Sequence, residues 1–119
     1  MGTFTVDGPT PEIRRFRLEK QDDKITVTPG TNYNLYAALV IVAGNRTTNQ
    51  GAYILFGYSN NSYSQAVTLQ GANNISVEKL TNEPGFAIKN LSTIVTPVSI
   101  LVLTDQLETL CTEYVPAAT

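Results

Sequence analysis

From Lys24 onward the chain is cut into short runs rich in β-branched and aromatic residues, separated by clusters of Pro, Gly, Asn and Thr. The breaks fall about every ten residues, which excludes long helices and favours many short strands. "KITVTPG" alternates Ile25 and Val27 with Thr26 and Thr28 and stops at Pro29-Gly30. "NLYAALVIVAG" is apolar at successive positions near its end, the pattern of a strand buried on both faces. "AYILFGY" is interrupted by Gly57, a residue that in a strand marks a bulge or a close backbone approach. "SQAVTLQG", "ISVEKL", "FAIKNL" and "PVSILVLT" follow, each closed or opened by Gly, Asn or Pro. The expectation is an all-β domain over residues 24–104, a β-sandwich or jelly roll.

The two ends read differently. Residues 1–23 hold Pro9, Pro11 and the mixed-charge run "EIRRFRLEK", and are expected to form an arm or an outer strand. Residues 105–119 form a C-terminal tail. There "TDQLETLCTEYV" offers Thr104 or Asp105 as a helix cap, with Leu107, Leu110 and Cys111 at helical spacing, so a short helix or a turn is expected. A chain of 119 residues suits one domain with a core of its own.

Charge is distributed unevenly. Asp7, Glu12, Glu19, Asp22 and Asp23 face Arg14, Arg15, Arg17, Lys20 and Lys24 within the first 24 residues, whereas no charge occurs from Thr47 to Val77. A soluble monomer ordinarily keeps about a quarter to a third of its surface charged. Either Thr, Asn, Ser and Gln carry the solubility of the uncharged stretch, or another molecule covers it.

Several chemistries are excluded or weakly supported. The chain has no histidine and one cysteine, Cys111, so His-dependent triads, an internal disulfide and a Cys/His zinc site are all impossible. Glu78, Glu83, Asp105, Glu108 and the Asp22-Asp23 pair supply carboxylates, but no spacing singles out a glycosidase-like pair. Asp22-Asp23 could hold calcium only with a ligand loop that is missing, and a charged turn is the simpler reading. No Gly-rich phosphate loop occurs. The expectation is a protein that is not an enzyme and has neither cofactor nor metal. A net charge of −2 gives no reason to expect nucleic acid. The longest apolar run, Leu35 to Ala43, is too short to cross a bilayer, so no membrane partner is expected. The start "MGTFTVDGPTPEIRR" lacks a basic end followed by an apolar block, and synthesis in a cytoplasm is expected.

Two groups of residues remain as candidates for contact. Ile13, Arg14, Arg15, Phe16 and Arg17 form the one basic cluster and could dock the arm onto an acidic protein surface. Tyr53, Phe56, Tyr58, Asn60, Asn61 and Tyr63 surround the "FGYSNNSYSQ" segment at the centre of the uncharged stretch. Aromatic faces beside amides suit a sugar ring, and Tyr with little charge suits a subunit interface. Asn60-Asn61 also makes a turn without either. The sequons at Asn45, Asn60, Asn74 and Asn90 are read as composition.

With "KITVTPGT", "GFAIKNLST" and "VSILVL" and its Thr/Asn-rich strands of scarce charge, the chain resembles small jelly-roll accessory proteins of bacteriophage virions, of the head-decoration and head-fibre kind. The resemblance implies a non-enzymatic virion component, often trimeric, held to capsid or tail by its N-terminal part. The function expected is therefore a structural subunit of a symmetric homo-oligomer located in the virion. The alternative is a carbohydrate-binding or adhesin module for a host-surface glycan, which the absence of Trp weakens.

Overall fold

The computed structural model describes residues 12–29, 35–58, 63–81, 83–103 and 110–118. Among them nine strands form two antiparallel sheets. The strands are β1 (Glu12–Leu18), β2 (Lys24–Pro29), β3 (Leu35–Ala43), β4 (Gln50–Tyr58), β5 (Tyr63–Gln70), β6 (Ile75–Lys79), β7 (Phe86–Asn90), β8 (Thr96–Val102) and β9 (Leu110–Val115). A five-stranded sheet runs β1-β8-β3-β4-β5 and a four-stranded sheet runs β6-β7-β2-β9. The all-β sandwich expected from the alternation is what forms. The pairings β1–β8 and β2–β7 nest as in a jelly roll, but β3, β4 and β5 run as a meander in one sheet.

The core lies where the two inner faces meet. Leu18, Val40, Val42, Leu55, Val98 and Ile100 come from one sheet and Ile25, Val27, Phe86 and Ile88 from the other, all buried. Strand periodicity makes this possible, because alternate residues such as Ile25 and Val27, Val40 and Val42, Phe86 and Ile88, and Val98 and Ile100 are apolar and project to the same side. In β7 the burial pattern alternates strictly, with Phe86, Ile88 and Asn90 buried and Ala87 and Lys89 half-buried.

Three described chain crossings between the sheets are each pinned by a polar side chain. At the β1–β2 turn the buried Asp23 carboxylate accepts from the Glu19 and Lys20 backbone N–H groups, from the Tyr114 hydroxyl at 2.6 Å, and from Ala117 N–H at 2.8 Å. At the β5–β6 crossing the Tyr53 hydroxyl accepts from Ala72 N–H at 2.8 Å. At β7–β8 the buried Asn90 amide donates to the carbonyls of Ile94 and Leu18 and accepts from Ser92 N–H. Buried backbone at a crossing has no ladder partner, so a side chain must supply one.

At both ends of the sandwich the structure decides between readings that spacing leaves open. Glu12–Leu18 is an outer strand, paired with β8 along all seven residues, and not a free arm. Leu110–Val115 is a strand paired with β2, so the helix considered for "TDQLETLCTEYV" does not extend into it. The reason is the register that sets Leu110, Thr112 and Tyr114 opposite Pro29, Val27 and Ile25 along the edge of β2, a pairing that holds a six-residue segment too short to be stable as an isolated helix. Thr104, Asp105, Leu107 and Glu108 lie outside the described residues. Gly57 pairs regularly with Ser64; the irregularity in β4–β5 falls instead between Ala52 and Tyr53, opposite Leu69.

Candidate functional site

The outer face of the five-stranded sheet is the most unusual surface of the molecule. The registers align Ile13 with Leu101, Leu101 with Leu39, Leu39 with Ile54 and Ile54 with Val67. One aliphatic row therefore crosses all five strands. A parallel row runs Arg15, Ser99, Ile41, Ala52, and on the other side Ala37 pairs with Phe56 and Phe56 with Gln65. Ile13 is 58% exposed, Ile41 38% and Val67 40%; Leu103, two residues beyond Leu101, is 46% exposed, and Leu69 at the bulge is 61% exposed.

The central strand makes the point most clearly. "LYAALVIVA" has the composition of a strand covered on both sides. Its inner residues Ala38, Val40 and Val42 are buried, while on the outer side Leu39 is only half-buried and Ile41 and Ala43 are exposed. The expectation that this strand is buried on both faces is thus met on one face only. No third layer covers the other among the described residues.

Electrostatics sets the two outer faces apart. Among the described outward positions of the five-stranded sheet, the charged side chains are Arg15 and Arg17, both on edge strand β1. The four-stranded sheet instead presents Lys24, Glu78, Lys89 and Glu113 with Thr26 and Ser76 on its outer side. That is an ordinary solvated face. The absence of charge from Thr47 to Val77 thus maps largely onto β4 and β5, which lie on the apolar side.

The candidates from the sequence are divided by this geometry. Arg14 turns inward, pairs with Glu12, and donates to the Leu110 carbonyl and, at 3.2 Å, to Thr112 Oγ1. It bridges the edges of the two sheets at β9 and is engaged within the molecule. Phe16 packs against the core. Ile13, Arg15 and Arg17 are left facing outward. Tyr53 is buried, and its hydroxyl holds Ala72, so it is a core residue and not a contact for sugar or subunit. Phe56 lies half-buried on the outer face. Tyr58 and Tyr63 pair with each other at the end of the β4–β5 hairpin, and Asn60 and Asn61 lie outside the described residues. The aliphatic row is the feature that strand-by-strand reading misses, because its members are far apart in sequence and only the register aligns them.

Asp23 is where the titration behaviour is perturbed. The Tyr114 hydroxyl and then Ala117 N–H stabilise its charged form, burial opposes them, and Lys20 and Glu19 N–H add support, lowering its pKa from 3.8 to about 2. The same contact pushes Tyr114 up to about 12. The carboxylate is committed to backbone and Tyr114. No cluster of three or more metal-ligating side chains occurs among the described residues.

No protein-family model matches the chain, and no curated protein matches it in sequence. Its fold is similar to part of a phage tailspike. The match is to the tailspike protein of Acinetobacter baumannii bacteriophage Fri1, a capsular polysaccharide depolymerase, with a TM-score of 0.55 and 15% identity. It covers 88% of this chain but only 19% of the tailspike. The likeness is one of fold.

Proposed function

We propose that the chain is a non-enzymatic structural subunit of a bacteriophage particle, and that the outer face of its five-stranded sheet is covered in the assembly. The observation that carries this reading is the aliphatic row from Ile13 to Val67 on a face whose described charges are confined to one edge. A contiguous apolar surface larger than a few hundred Å² is a contact surface in most soluble proteins. The fold likeness to a segment of a tailspike supports a place in a virion, as a decoration, fibre or tail component. Attachment to capsid or tail belongs to β1, which among the described pairings meets β8 on one side and leaves its other edge for a partner strand.

The test is localisation. An antibody against the chain should label particles purified from the lysate of a phage carrying its gene. Clean particles, with the chain left wholly in the soluble fraction, overturn the proposal.

A second reading is recognition of a surface glycan at the β4–β5 hairpin, near Tyr58 and Tyr63. It is favoured by the polysaccharide-degrading activity of the tailspike whose fold is similar. A glycan array probed with the chain and with its Tyr58→Ala/Tyr63→Ala variant decides it: binding lost in the variant supports the reading, and no binding by either refutes it.

A further inference from the structure

We infer that the molecule covering the apolar face is a second copy of this chain, packed face to face about a two-fold axis running along β3. This rests on the reading of that face as a covered surface and names its occupant.

Three observations converge on a copy. First, the row is symmetric in character about its middle strand: Leu39 at the centre, Leu101 and Ile54 beside it, Ile13 and Val67 outermost. An axis along β3 sets Leu39 on its own mate, Leu101 on the copy's Ile54, and Ile13 on the copy's Val67. Each contact is aliphatic on aliphatic, as an isologous interface requires. In the next row the same axis sets Ile41 on its own mate and Ser99 on the copy's Ala52, small side chains on either side of the aliphatic contact.

Second, charge is compatible with this axis. Arg15 and Arg17 lie on β1 at one edge, and the axis along β3 brings β1 over the copy's β5, whose outward side chains include Gln65 and Gln70.

Third, the area suffices. Five strands about 4.8 Å apart and about seven residues long at about 3.3 Å each span roughly 500 Å². Two such faces bury about 1,000 Å², the lower bound of a specific interface. Two β-sheet faces pack about 10 Å apart with strands crossing at about −30°, so the axis lies within about 15° of β3.

Light scattering on the purified full chain should return twice the chain mass of 12.9 kDa, and Leu39→Lys should halve it to 12.9 kDa. Circular dichroism and cooperative thermal unfolding should show the variant still folded. Cross-linking supplies a readout that does not depend on that variant folding. In a Cys111→Ser background, Ile13→Cys/Val67→Cys oxidised with copper phenanthroline should give a covalent dimer, whereas Arg17→Cys alone should give none. A covalent trimer overturns the two-fold arrangement. A strictly monomeric chain at high concentration that nonetheless labels particles overturns this inference and leaves the structural-subunit reading standing.

Discussion

Removing one oxygen atom from Tyr53 separates a core role from a contact role for the residue. Its ring is 4% exposed, and its hydroxyl accepts the Ala72 N–H at 2.8 Å where the chain crosses from β5 to β6. Ala72 is itself buried, so in Tyr53→Phe its N–H loses this partner without gaining water. An unsatisfied buried donor costs about 1–3 kcal/mol. Unfolding entropy is about 2.1 cal/mol/K per residue, or roughly 250 cal/mol/K for 119 residues, so each kcal/mol moves the melting temperature by about 4 °C. Differential scanning calorimetry should therefore register a fall of about 4–12 °C, with the transition still two-state. The mass in light scattering should not change, since Tyr53 faces away from the apolar face. A melting temperature within about 1 °C of the parent would refute the reasoning, because the crossing would then not depend on that hydrogen bond.

Two further perturbations probe other parts of the sandwich. Gly85 has φ +126°, and a Cβ there would stand 2.4 Å from the Val27 carbonyl oxygen, so Gly85→Ala should lower stability by about 1–3 kcal/mol, read as a shifted urea midpoint at unchanged slope. Asp23 has a folded pKa of about 2 against an ordinary 3.8, so its contribution is complete above 3.8 and is lost as pH falls through about 2. Urea midpoints should therefore drop between about pH 4 and pH 2, and Asp23→Asn should flatten that drop while lowering the midpoint at neutral pH.

The strands were legible because alternation is local. Each of the seven runs from "KITVTP" to "TPVSILV" contains within itself the period that selects extended backbone, and the Gly, Asn and Pro between them set the breaks. The tail was ambiguous for the same reason: Leu107, Leu110 and Cys111 fit a helix, Leu110, Thr112 and Tyr114 fit a strand, and only the vacant edge of β2 decides between them. Tyr53 looked like part of an aromatic contact set because composition does not reveal which side of β4 a ring occupies. Arg14 looked like a docking residue because its route to Leu110 and Thr112 spans nearly the whole chain. The bulge at Ala52 and Tyr53 had no marker as plain as Gly57, since a register shift belongs to a pair of strands and not to either one.

By itself the sequence determined an all-β chain with the edges of most strands in place, an uncharged middle, and no histidine on which to build a catalytic triad. Tertiary structure decided which of two alternating faces is covered, because burial depends on a second layer supplied by residues distant in the chain. It also assembled the row from Ile13 to Val67, whose five members come from five strands and meet only through the register. Side-chain period is encoded locally, whereas the pairing that turns separate apolar positions into one surface is not.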